Sequence, residues 1–158
     1  MITRRSLLAG SAVGLVALGG AGARASEKFA VTYSDAEWRQ RLTADQYAVL
    51  RESDTEAPFT SALLHEKRRG TFACAGCELD LFSSDTKYDS QTGWPSFWAP
   101  LEKAVGTARD TSYGMERISV HCSRCGGHLG HVFNDGPKPT GLRYCMNGIA
   151  LTFKPASA

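Results

Sequence analysis

Two Cys-x-x-Cys pairs, "CAGC" at 74–77 and "CSRC" at 122–125, are separated by 44 residues and constrain this chain more than any other feature. Each such knuckle sets two sulfurs on one side of a tight turn, and two knuckles supply the four thiolates of a tetrahedral zinc site. Cys74, Cys77, Cys122 and Cys125 are therefore read as ligands of one structural Zn2+, with Gly76, Gly126 and Gly127 easing the turns. The fold must then bring two distant segments together around the ion. Four thiolates leave the metal no open position, so it holds the fold and does not catalyse. Disulfides and an iron centre on the same ligands are the competing readings.

The start of the chain belongs to a different class. Residues 1–25 combine the adjacent Arg4 and Arg5, an uncharged run from Ser6 to Ala23, and a small-residue exit at Ala23-Arg24-Ala25. That order is an export signal, and the paired arginines resemble the twin-arginine type. A retained anchor is the alternative, disfavoured by five glycines in the run. The domain plan is thus a signal over 1–25, a linker over 26–33 and one catalytic domain over 34–158. Its expected location is periplasmic, with membrane contact only in transit. Export of an already folded, metallated protein also weakens the disulfide reading.

Without Arg4, Arg5 and Arg24, the remaining 15 Lys and Arg face 16 Asp and Glu, a net charge of −1. A nucleic-acid partner is not expected, because phosphate binding needs a cationic face. Across the whole chain, 42% apolar and 22% charged residues suit one soluble globular domain.

Two capping boxes, Ser34 with Glu37 and Thr43 with Gln46, predict two short helices that bury Trp38, Leu42, Tyr47 and Leu50. From about Gly70 the pattern turns to short runs bounded by Gly, Pro, Asp and Ser: "TFAC", "LDLF", "RISVHC", "HLGHVF", "LRYCMN" and "IALTF". These read as strands, with "TSYG" at 111–114 as a hairpin turn. The fold class is mainly β with short N-terminal helices.

A fifth cysteine, Cys145, has no partner in sequence. A buried, inert core thiol is one reading. Arg143 and Asn147, two residues to either side, share its face in a strand, and a cation there favours thiolate. "HLGHVFND" supplies His128 and His131 as proton donors and Asp135 as a carboxylate to orient them. Trp94, held before Pro95, can wall an apolar pocket or simply join the core.

Together "GWPSF", "HLGHVF", "RYCMN" and the two knuckles, in this order, resemble the B-type methionine-R-sulfoxide reductases, and the likeness extends from "WRQRLTADQYAVLRE" and "TEAPF" to the last strand. The resemblance implies two small antiparallel sheets flanked by short helices. It implies that Cys145 attacks the sulfoxide sulfur and becomes a sulfenic acid, while His128 and His131 polarise and protonate the oxygen. Trp94 would pack on the substrate methyl group, with Phe133, Asp135, Arg143 and Asn147 completing substrate binding. The substrate would be methionine sulfoxide, free or in peptides, and a monomer would suffice.

One departure stands out. Many members of that family carry a resolving cysteine where this chain has Thr92, and four cysteines on zinc leave none elsewhere. An external thiol, from a thioredoxin-like partner or a small molecule, is then expected to reduce the sulfenic acid. Two other readings remain: a thiol peroxidase or redox sensor built on Cys145, and a non-enzymatic zinc-knuckle interaction module.

Overall fold

A computed structural model of the protein describes residues 28–157. The export signal read over 1–25 lies outside the described residues. Helices α1 (Asp35–Arg41) and α2 (Ala44–Glu52) each begin on the expected capping box, with side chain and backbone bonded reciprocally. Each box pairs N–H groups that a helix end otherwise leaves bare. Helices this short draw their stability from packing, and Trp38, Leu42, Tyr47 and Leu50 are all buried, joined by Val49. Residues ahead of α1, read as linker, also pack: the Val31 N–H donates to the Arg124 carbonyl at 3.0 Å.

Two antiparallel sheets follow. The smaller joins β1 (Gly70–Cys74), β2 (Asp80–Ser83) and β9 (Leu151–Pro155) in the order β2-β1-β9. The larger contains β3 (Lys87–Tyr88), β4 (Ser96–Phe97), β5 (Val105–Asp110), β6 (Arg117–Cys122), β7 (His128–Phe133) and β8 (Arg143–Met146), in the order β3-β4-β8-β7-β6-β5. Where "IALTF" suggested one strand, residues 148–150 instead form a 3-10 turn before β9. Strands β3, β4 and β5 carry no clear alternation: two have only two residues each, and β5 is an exposed edge with a glycine inside it.

An aromatic joint ties the sheets. Phe97 of the larger stacks on Phe82 at 4.4 Å and meets Phe72 edge-on at 5.0 Å, and all three rings are fully buried. Such pairs add to the burial of area itself. On the larger sheet Phe97, Met146 and Val120 are fully buried.

The opposite face carries the chemistry. Register places Tyr88, Ser96, Cys145, His131, Ser119 and Ala108 in one transverse row across all six strands. Residues paired in this way project to the same side, so the row sets a thiol between a hydroxyl and an imidazole. Gly130 permits the close approach of β8, since a Cβ there would lie 2.1 Å from the Cys145 carbonyl oxygen.

Candidate active site

The two knuckles meet as the spacing requires. In each, the first cysteine donates its N–H to a carbonyl five residues on, Leu79 or Gly127, at 2.8 and 2.9 Å. Its carbonyl accepts from the residue four on, Glu78 or Gly126, and both of these have left-handed backbones. Gly126 is thus the glycine its turn needs, whereas in the first knuckle that place falls to Glu78 and not to Gly76.

The sulfurs of Cys74, Cys77, Cys122 and Cys125 all lie within 4.8 Å of one another and form no disulfide. Cys74 and Cys125 are 3.7 Å apart and Cys77 and Cys122 3.5 Å, close to the edge of about 3.8 Å that a tetrahedron with 2.3 Å zinc bonds requires. This donor set fits one zinc ion. Arg51 on α2 donates to the Cys125 carbonyl at 3.1 Å, tying the helix to the site.

Cys145 opens onto a cavity of about 120 Å³ that Trp94, His131, Phe133 and Asn147 also line. Those residues come from three separate sequence motifs, "GWPSF", "HLGHVF" and "RYCMN". The thiol is partly exposed, and burial pushes its pKa up more than the Thr92 hydroxyl and the Arg143 guanidinium pull it down. Burial thus works against the resting thiolate that the neighbouring cation favours. The Arg143 charge is largely engaged elsewhere, in a paired contact with both Asp135 oxygens at 2.8 Å and over the Phe133 ring at 4.3 Å.

That pairing puts Asp135 on Arg143 and not on a histidine, contrary to the expectation from "HLGHVFND". The carboxylate on His131 is Asp110 of β5, 2.7 Å from Nε2. Asp110 accepts from the Ser112 backbone N–H and from Arg117 at 2.9 Å, and these bonds with His131 hold it well below the usual carboxylate range. Only pairing of β5 with β6 and of β6 with β7 brings Asp110 to His131, so no local motif announces it.

His128 differs from His131. It is buried, burial together with the nearby His131 lowers its pKa to about 4, and it does not line the cavity with Cys145. The two rings meet edge-on at 5.3 Å.

Trp94 is held by a residue that sequence reasoning missed. Its indole N–H donates to the Glu56 carbonyl at 3.0 Å, and the Glu56 N–H donates to Asn147 Oδ1 at 3.0 Å. Asn147 Nδ2 in turn donates to the Leu129 carbonyl at 3.1 Å. The Glu56 carboxylate accepts from the N–H groups of Gly148 and Ile149 at 2.5 and 3.1 Å. Thr55 and Arg117 also reach the cavity. The segment "TEAPF" contains Thr55 and Glu56, but in a polar loop directly after Asp54 an acid carries no local signal of such a role.

The chain matches the SelR domain over residues 42–155. It is 54% identical over 127 residues to the peptide methionine sulfoxide reductase MsrB of Leptospira interrogans, covering 80% of this chain and 97% of that protein. To the MsrB of Agrobacterium fabrum it is 52% identical over 126 residues, with 79% and 93% covered. To that of Pseudomonas putida it is 57% identical over 120 residues, with 75% and 90% covered. Shared over nearly the whole length of these relatives, with the knuckles folded together and one thiol left over, this similarity means that the chain belongs to the MsrB family.

Proposed function

We propose that this protein reduces the R epimer of methionine sulfoxide with Cys145 as nucleophile. The observation that carries this reading is the shared cavity: Cys145, Trp94 and His131 converge on a space of about 120 Å³, the scale of a thioether side chain and not of a large cofactor. The Cys145 sulfur attacks the sulfoxide sulfur, the oxygen passes to the Cys145 sulfur as its bond to the substrate sulfur breaks, and cleavage of the transient S–S bond releases the thioether. Thiol plus sulfoxide becomes sulfenic acid plus thioether, with the thiol proton ending on the transferred oxygen.

Sulfoxide oxygen leaves poorly unless protonated, so an acid must stand beside the sulfur. His131 suits this role. Its Nε2 is committed to the anionic Asp110, leaving Nδ1 to exchange a proton with a bound oxygen and a carboxylate to stabilise the imidazolium. His128, held neutral by burial, serves as a neighbour of His131 and not as the acid. Trp94, fixed by Glu56, faces the substrate methyl group and selects which lobe of the sulfur meets the thiol.

Two equivalents of an external thiol, or one dithiol such as a thioredoxin-like partner, then return Cys145 with release of water and one disulfide. Zinc on Cys74, Cys77, Cys122 and Cys125 would hold the knuckles together and take no part in the chemistry. Residues 1–25 are read as a twin-arginine signal, which would put this repair activity in the periplasm. A general peroxide-reducing thiol wants a thiolate at rest, and burial works against one here.

The test is turnover of separated R and S epimers with dithiothreitol as reductant. Consumption of the R epimer alone is expected, and it should vanish in Cys145→Ser. Equal consumption of both epimers, or activity surviving in Cys145→Ser, would refute the reading.

A further inference from the structure

Beside Cys145, on the side away from the imidazoles, three hydroxyls form a chain. Thr92 Oγ1 lies 3.8 Å from the Cys145 sulfur, Ser90 Oγ lies 2.8 Å from Thr92, and Ser96 Oγ lies 2.7 Å from Ser90. Ser96, fully buried and the strand partner of Cys145, ends the chain by donating to the Trp94 carbonyl at 3.2 Å. None of the three serves the oxygen-transfer step described above.

The last contact decides the direction of the rest. A carbonyl only accepts, and each hydroxyl carries a single proton. With Ser96 donating to Trp94, it accepts from Ser90, Ser90 accepts from Thr92, and Thr92 is left with lone pairs toward the sulfur. In this setting the chain receives the S–H of a neutral thiol. Because it ends on a carbonyl it cannot pass a proton onward, so the sulfur loses its proton only on the cavity side.

The chain can also run the other way. If all three hydroxyls rotate, Ser96 donates to Ser90, Ser90 to Thr92, and Thr92 to an anionic sulfur. Reversal gives up one bond, the 3.2 Å contact to Trp94, which is the longest oxygen–oxygen contact of the set. It gains a charge-assisted bond to the thiolate, of the stronger kind.

We propose that Thr92, Ser90 and Ser96 form a reversible hydroxyl ladder that positions Cys145, accepting from its thiol at rest and donating to its thiolate when substrate draws the proton away. The proposal rests on the reading of Cys145 as the sulfoxide-reducing nucleophile. In it, the residue standing where many relatives keep a second thiol has a task of its own. These are positioning residues, acting on the sulfur and not on the substrate.

The test is the pH dependence of iodoacetamide alkylation at Cys145, followed by peptide mass in the metal-loaded protein, with sulfoxide turnover measured separately. Thr92→Val, nearly isosteric, should raise the alkylation midpoint by about one pH unit, or about tenfold in rate at a fixed pH below it. Ser90→Ala should shift it the same way by less, and Thr92→Ser should restore it. Unchanged midpoints in both Thr92→Val and Ser90→Ala overturn the ladder. A wild-type protein without sulfoxide turnover would sink the enzymatic reading instead, leaving the shifted midpoints to support the ladder by themselves.

Discussion

Glu56 holds Trp94 by its backbone and Gly148 by its side chain, so one residue joins the aromatic wall of the cavity to the turn that follows Cys145. Glu56→Ala leaves the Gly148 and Ile149 N–H groups without their acceptor, at a cost of about 1–3 kcal/mol for buried donors. The loop is expected to loosen and the indole with it. Steady-state kinetics should show kcat/KM reduced at least about tenfold, because an aromatic wall displaced by an ångström misplaces the sulfoxide. Wild-type kinetics in this variant would remove Glu56 from the positioning of Trp94.

Thr92 stands 3.8 Å from the Cys145 sulfur, close enough for a second thiol there to reach it. Thr92→Cys is expected to form a disulfide with Cys145 after a single turnover, seen as a loss of two hydrogens by mass. The wild-type protein should instead gain one oxygen, or an adduct of the reductant. A wild-type protein that forms an intramolecular disulfide at Cys145 would contradict the external-thiol route.

Much of this arrangement is legible in the sequence where the chemistry is local. Ser34 with Glu37, Thr43 with Gln46 and the paired cysteines each carry their partner within a few residues, and all appear as read. Cys145, Trp94 and His131 were recoverable because each sits in a dense short motif. Asp110 was not, since only cross-strand pairing carries it to His131. Glu56 looks like a loop acid until the fold buries it against Gly148 and Ile149. Arg143 does pull the Cys145 pKa down as its spacing suggests, but sequence shows neither the burial that outweighs it nor its engagement with Asp135.

The knuckles bring β1 and the β6–β7 turn together around four sulfurs, with one hydrogen bond beside them from Arg124 to the Cys77 carbonyl at 3.2 Å, so removing the metal should be felt by the whole fold. A thiol-reactive mercurial with a chelator is expected to release one zinc per chain, read with a colorimetric zinc dye. Thermal unfolding should then fall by at least about 10 °C, because metal binding to such a site is folding free energy. Cys77→Ser should mimic this loss. A protein as purified that holds no zinc, or whose melting ignores its removal, would contradict a structural role for the ion.

His128 gives the fold an acid limit. Burial lowers its folded-state pKa from 6.5 to about 4, so across that interval the unfolded chain binds the proton and the folded chain does not. The associated stability is whole above about 6.5 and is lost as the pH falls through that window toward 4. Between pH 7 and pH 5 the loss should be about 2 kcal/mol, read from urea unfolding at each pH. His128→Asn carries no titrating group, so its own stability should change less over the same interval. Parallel pH profiles for the two proteins would mean that the wild-type imidazole titrates in the folded state much as it does in the unfolded chain.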